Sequence, residues 1–160
     1  MATSSIPAAV DYLVATARAL TGLPQPLAEA LVVSDGFPAG AGATAFAVGI
    51  IPYDDGDTPN EVVHGQLGAQ MEREFYEVPC EIGVLVGGGE EATKAARDQA
   101  FAIYNAFVTA VRADRTLGGA LHSGAGLVTR MRMEQTATPE EAGKGRICSI
   151  KFVVRCENRF

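Results

Sequence analysis

Apolar residues recur along the chain at two different spacings, and each spacing predicts a different kind of element. Over residues 6–20, apolar side chains return every three or four positions, which places them on one face of a helix. The same spacing predicts a longer helix over residues 90–113, with two glutamates in its first turn that suit the positive end of the helix dipole. Glycines follow both segments, so each helix is expected to end there.

Strict alternation of apolar and other residues marks the strands. It is clearest over residues 76–86, where every second side chain is aliphatic, aromatic or cysteine. Two shorter apolar runs, at residues 31–34 and 45–51, also predict strands. Near the end of the chain, residues 127–134 and 148–156 alternate in the same way, and each predicts a half-buried strand.

These elements follow one another in the order α-β-β-β-α-β-β, which predicts an α+β fold. We expect a two-layer sandwich in which two amphipathic helices cover one face of a mostly antiparallel sheet, because the apolar surfaces of both layers must be buried together. The last two strands form a C-terminal hairpin over about residues 126–158. Residues 52–70, punctuated by proline and glycine, form a loop insertion, and residues 1–160 make a single domain.

The predicted sheet has one apolar face and one charged face. In the first strand of the hairpin, alternation assigns four side chains to the apolar face: Leu127, Thr129, Met131 and Met133. The open face would present Glu77 and Glu81 beside four basic residues of the hairpin: Arg130, Arg132, Lys151 and Arg155. Opposite charges on neighbouring strands stabilise a sheet slightly, and the same residues would equally suit an interface, so both interpretations stay open.

The charge of the chain is acidic overall and unevenly distributed. Its 160 residues include 13 basic and 19 acidic side chains, a formal net charge of −6. This balance argues against a protein that wraps DNA or coats an anionic membrane. Residues 1–69 have one basic side chain against seven acidic ones, whereas residues 120–160 have seven basic against four acidic. Such polarity suits head-to-tail self-association, although chance and solubility would also account for it.

Motifs for catalysis or cofactor binding are absent from the sequence. Glycines 87–89 precede a helix, but the GxxxxGK[ST] spacing of a phosphate loop is missing. Pro59 interrupts any calcium-binding frame in the acidic segment 54–61, which predicts a solvated loop, with a weak cation site as the alternative. His64 and His122 lie in glycine-flanked segments without a nucleophile motif. We therefore expect no enzyme and assign no catalytic, cofactor-binding or metal-binding residue.

The cysteines and the N-terminal segment indicate the compartment. The three cysteines, at positions 80, 148 and 156, form no CxxC pair, so they suggest neither a disulfide framework nor a zinc site. A reducing cytosol is the expected environment. Residues 6–20 include an aspartate and an arginine, and this segment is expected to be neither a signal peptide nor a membrane span.

Several short stretches occur in an order that is known from one protein family. The N-terminal helix is followed by SDGFP at residues 34–38, FAVGI at 46–50 and the acidic YDD at 53–55. Then come EREFYEVP at 72–79, DRTLGG at 114–119 and the closing hairpin. In this order the chain resembles the tail terminator proteins of long-tailed bacteriophages with non-contractile tails. The resemblance spans nearly the whole chain, and DRTLGG is its most family-like stretch.

The resemblance implies a structural virion protein without an active site or cofactor. Such proteins form a closed ring, typically a hexamer, that caps the tail tube and ends its polymerisation. The ring also provides the joint to the head-side connector or stopper protein, and phage DNA passes through its lumen without specific binding. The expected location is the head-proximal end of the tail in the virion, after assembly in the host cytoplasm and without a membrane partner.

A closed ring needs two different, complementary patches on each subunit. The partners would be further copies of the chain, the major tail tube protein and the head-side connector. Candidate interface residues are acidic in the front half and basic in the hairpin: Asp54, Asp55, Asp57, Glu61, Arg130, Arg132, Lys151 and Arg155. One alternative is another neck adaptor, a head-completion or stopper protein. The other is a small α+β ligand-binding domain or enzyme with a site around residues 53–57 and His64.

Overall fold

The computed structural model describes residues 4–36, 43–49, 65–66, 72–138 and 144–159, and these contain three helices and six strands. In chain order they are α1 (Ile6–Arg18), α2 (Leu27–Ala30), β1 (Leu31–Asp35), β2 (Thr44–Val48), β3 (Gly65–Gln66), β4 (Glu72–Gly87), α3 (Glu91–Ala113), β5 (Ala125–Ala137) and β6 (Gly145–Arg159). Every predicted helix and strand is present. The four-residue α2 and the two-residue β3 are additions that the periodicity did not indicate.

Five strands form one sheet in the order β1-β2-β4-β6-β5, and β3 pairs with the beginning of β4. β1 and β2 are parallel, whereas all the other pairs are antiparallel. β4 and β6 pair along their whole length, from Arg73 opposite Arg159 to Gly87 opposite Gly145. This long pair is the centre of the sheet, so the residues along it define both of the sheet's faces.

Both long helices pack on one face of the sheet and share a core with it. Buried residues of α1 and α3 form one hydrophobic cluster with the inward-facing residues of β2, β4 and β6. At its centre, the ring of Phe107 in α3 packs edge-on against Phe46 in β2, with centroids 4.8 Å apart, and lies 5.8 Å from the ring of Phe152 in β6. The predicted two-layer α+β sandwich with a mostly antiparallel sheet is therefore confirmed.

β5 departs from the predicted alternation because it contains a bulge. Its register against β6 shifts between Thr129 and Arg132, and Arg130 has a positive φ of 52°. Before the shift, Leu127 lies opposite Arg155, and directly paired residues project to the same side of a sheet. Leu127 and Thr129 therefore lie on the open face, and the prediction that placed them on the apolar face is wrong.

Three apolar residues of β5 are exposed, and they occupy different positions. Met133 lies opposite the fully buried Ile150, on the face that the helices cover. Even so, Met133 is 37% exposed, because the helices cover the middle of the sheet better than its margin. Leu127, which is 45% exposed, lies on the open face, and Met131, within the register shift, is 44% exposed, so the core expected from these side chains is incomplete.

The connection after α3 is a turn organised by the side chain of Asp114. Its carboxylate accepts hydrogen bonds from the Tyr12 hydroxyl (3.1 Å), the Thr116 hydroxyl (2.6 Å) and N–H (3.1 Å), and the Gly118 N–H (2.9 Å). These bonds, with that of the Thr116 hydroxyl first, hold the pKa of Asp114 below its ordinary value. The DRTLGG stretch of the sequence therefore forms a tight turn that also holds α1, through Tyr12, against the end of α3.

Candidate interaction surface

The open face of the sheet, opposite α1 and α3, carries the charged residues that the sequence singled out. Strand register arranges its side chains in rows that cross β4, β6 and β5. Two of these rows hold most of the charged residues that the sequence singled out: Glu81, Lys151 and Arg132 in one, and Glu77, Arg155 and Leu127 in the other. Pro79 and Val153 lie opposite each other between these rows.

The structure brings all four predicted basic residues onto this face, and three of them contact acidic residues of the same chain. Arg130 reaches from the bulge to Glu77, with 3.1 Å between Nη1 and Oε2. Arg132 lies 3.1 Å and Lys151 lies 3.9 Å from the carboxylate of Glu134. The side chains of Arg130 and Arg132 are 69% and 70% exposed. Exposed pairs of this kind stabilise a fold only slightly, and they leave the guanidinium groups accessible to another molecule.

Apolar side chains lie among these charges. Leu127 is exposed beside Arg155, and Leu85, which is 40% exposed, lies opposite the half-buried Ile147. A surface that mixes exposed aliphatic groups with arginines has the composition of a protein–protein interface. The open face is therefore the candidate interaction surface.

The acidic half of the predicted interface cannot be placed against this face. Asp54, Asp55, Asp57 and Glu61 lie outside the described residues, and so do His64 and most of the predicted loop over residues 52–70. Within that loop, β3 pairs with the first residues of β4. The structure thus brings together the basic candidates alone.

A buried polar cluster at the start of α1 is a feature that sequence reasoning missed. Glu74 in β4 is fully buried and accepts hydrogen bonds from the Ser5 N–H (2.9 Å), the Ser5 hydroxyl (2.6 Å) and the hydroxyl of Ser4. The Tyr76 hydroxyl lies 3.0 Å from Ser5 Oγ, and burial raises the pKa of Tyr76. The available signal was the alternation of β4, because extending it back from Tyr76 places Glu74 on the apolar face.

Asn158 continues this cluster on the neighbouring strand. It lies opposite Glu74, is fully buried and accepts a hydrogen bond from the His122 N–H through Oδ1 at 2.8 Å. Among the described residues, its Nδ2 atom has no hydrogen-bond partner. The contacts of the cluster join α1, the segment before β5 and the end of the sheet, so its evident role is to hold these parts together.

The described residues offer few other groups that could react or bind a metal ion. All three cysteines are buried and free, and burial raises the pKa of Cys80 and Cys156 to about 12, so their thiols stay protonated near neutral pH. Among the described residues, no group of three or more histidine, cysteine, aspartate or glutamate side chains could hold a metal ion. In the same part of the chain, no helix is long and apolar enough to cross a bilayer.

An open groove of about 550 Å³ lies between the end of α1 and α3. Its lining consists of uncharged residues, most of them alanine or threonine: Thr16, Ala19, Leu20, Thr21, Asn105, Ala106, Thr109, Ala110 and Ala113. It offers hydroxyl groups and one amide but no ionisable side chain, so it has no group suited to acid–base or nucleophilic chemistry.

Comparison with known proteins leaves the family of the chain open. No model of a known protein family matches it. A search of curated protein sequences gives no match either. The open face of the sheet, with its exposed arginines and aliphatic groups, therefore stands as the main structural guide to function.

Proposed function

We propose that the protein is a tail terminator of a long-tailed bacteriophage with a non-contractile tail, a structural protein that forms a ring on the tail tube. The observation that supports the proposal best is the open face of strands β4, β6 and β5, where exposed arginines and apolar side chains lie together. A surface of this kind suits a protein contact, as subunits of a ring require. The order of the short sequence stretches, from SDGFP to DRTLGG and the hairpin, supports the same proposal.

The proposed ring caps the head-proximal end of the tail tube in the virion. Its partners are further copies of the chain, the major tail tube protein and the head-side connector or stopper protein. DNA passes through the lumen, and a chain with a net charge of −6 suits this passage because it would not hold the phosphate backbone. The ring works through its shape and its contacts, so the proposal includes no catalytic step.

The mass of the assembly that the purified protein forms in solution tests the proposal. We expect light scattering to give about six times the chain mass of 16.7 kDa, and negative-stain microscopy to show closed rings. Added to polymerising tail tube protein of the same phage, the ring should limit tube length. A chain that stays monomeric at every concentration and leaves tube length unchanged would contradict the proposal.

A phage that lacks the protein provides the second test. We expect its tails to overgrow or to remain unattached to heads, and we expect the wild-type chain supplied in trans to restore joined particles. Normal virions in the absence of the protein would overturn the assignment to the tail.

A further inference from the structure

The two outer strands of the sheet, β1 and β5, expose apolar side chains, and this exposure does not stabilise the isolated chain. In the part of the chain that the structure describes, five large hydrophobic residues are exposed, and four of them lie on these outer strands: Val32, Leu127, Met131 and Met133. Natural sheets usually protect their outer strands with charge, because free backbone groups there invite pairing with another chain. The three exposed apolar groups of β5 and the single one of β1 are groups that a contact with another chain would cover.

The charges at the two outer strands are opposite in sign. Glu29 lies two residues before β1, Asp35 is its last residue, and both are exposed. At the opposite edge of the sheet, the side chains of Arg130 and Arg132 in β5 extend into solvent and are 69% and 70% exposed. One edge is therefore acidic and apolar, whereas β5, with Arg130 and Arg132 against the single acidic residue Glu134, is net basic and apolar, so the two edges complement each other.

We infer that the β1 edge of one copy of the chain docks along the β5 edge of the next copy. Val32 would pack against Leu127 and Met131, with Glu29 and Asp35 facing the arginines. The inference rests on the proposed ring and adds which surfaces close it. Because the two edges lie at opposite ends of one sheet, the contact is head-to-tail, and its repetition generates a ring when the rotation closes.

The backbone of both edges can take part in this contact. The outward-facing N–H and C=O groups of an outer strand can extend a sheet into a neighbouring molecule. The bulge at Arg130 interrupts the regular ladder of β5, so pairing is confined to the stretches before or after it. The bulge therefore limits which registers are possible and turns the Arg130 side chain towards the open face.

Charge reversal at each edge tests the contact. We expect E29K/D35K and R130E/R132E each to raise the concentration at which the rings dissociate by roughly a hundredfold, because like charges then face each other. The control variants D11K/E90K and R18E/R112E make the same changes in net charge at exposed positions outside both outer strands, and they should assemble as wild type. Mass photometry measures assembly, and circular dichroism confirms that each variant is folded.

Two combinations make this test specific. Mixing E29K/D35K with R130E/R132E should restore rings of alternating subunits, because every contact then joins opposite charges. The quadruple variant E29K/D35K/R130E/R132E should also form rings alone, since its two edges have exchanged signs. If E29K/D35K alone or R130E/R132E alone assembled at wild-type concentrations, the inference would be overturned. It would also be overturned if the mixture and the quadruple variant both failed to assemble although all the variants were folded.

Cross-linking gives a second measurement that does not depend on charge. The native cysteines are buried, so a short bismaleimide should react only with introduced thiols. We expect V32C/M131C to give a ladder of linked chains on a denaturing gel. V32C alone should remain monomeric, because each Val32 would lie beside β5 of the next copy and not beside another Val32. If the wild-type chain forms no ring at all, the proposed function fails. If rings form but neither test places β1 beside β5, the inference alone fails.

Discussion

Gly118 shows how a single residue controls the turn after α3. Its φ is +69°, and a Cβ atom at this position would lie 2.6 Å from the ring of Tyr12. The next residue, Gly119, has a φ of +84° but open space around it. We expect Gly119→Ala to cost about 1–2 kcal/mol of unfolding free energy for the backbone conformation alone. Gly118→Ala should cost roughly 1–3 kcal/mol more, because Tyr12 must also move.

Urea denaturation of the two glycine variants separates these effects. The backbone penalty is similar in both, so the difference between their unfolding free energies reports the clash with Tyr12. Replacing Tyr12 by alanine in the Gly118→Ala background should remove most of that difference. Equal stability of the two single variants would show that the packing of Tyr12 against the turn is unimportant.

Asp114 makes the same turn sensitive to pH. Its pKa is lowered in the folded protein, so its hydrogen bonds stabilise the fold above the unfolded value of 3.8, and this contribution is lost as the pH falls through the folded pKa. We therefore expect the difference in unfolding free energy between wild type and Asp114→Asn to be largest near pH 7 and to shrink below about pH 4. Urea denaturation at pH 7, 5 and 3 measures it, and a constant difference would contradict the assignment.

At the scale of elements, the first turn of α1 depends on a side chain from the sheet. Ser5 occupies the N-cap position, but its hydroxyl makes no capping bond and donates to the buried Glu74 instead. The carboxylate thus lies at the positive end of the helix dipole. We expect Glu74→Ala to cost about 2–4 kcal/mol, since it leaves the N–H and hydroxyl groups of Ser5 without their acceptor.

Two matched variants show why Glu74→Ala lowers the unfolding free energy. Glu74→Gln keeps one acceptor oxygen and the side-chain volume, so it should cost less than Glu74→Ala. Ser5→Ala removes one donor and should cost about 1 kcal/mol. Thermal denaturation compares them, with the exposed Asp11→Ala as a control for loss of a carboxylate. Identical losses for the alanine and glutamine variants would show that volume matters here and the hydrogen bonds do not.

The length of its periodic segment decides whether an element can be predicted from the sequence. α3, β4 and β6 were found because each has its own long period, so local side chains alone define their buried faces. The bulge in β5 was missed because it depends on register with β6, and a short sequence segment holds no information about that partner. α2 and β3 are too short to show a period.

The candidate surface was predicted in part for a related reason. Alternation within the hairpin was enough to place Arg132, Lys151 and Arg155 on one open face. The ion pair between Arg130 in β5 and Glu77 in β4, and the opposite signs of the two outer strands, depend on the strand order β1-β2-β4-β6-β5. Strand order is a property of the whole molecule, so sequence polarity could indicate complementary halves without showing which strands present them.

At the scale of the assembly, the balance of charged and apolar groups predicts how a ring should respond to salt. The screening length falls from about 10 Å at 0.1 M to about 3 Å at 1 M ionic strength, which weakens exposed charge pairs and leaves apolar contacts intact. We expect the dissociation concentration of the ring to rise by roughly tenfold over this range, because a few exposed pairs together contribute about 1–2 kcal/mol. A V32A/M131A variant should dissociate more readily at every salt concentration and keep the same slope. If assembly is indifferent to salt while V32A/M131A abolishes it, the contact is apolar and the arginines of β5 serve another partner.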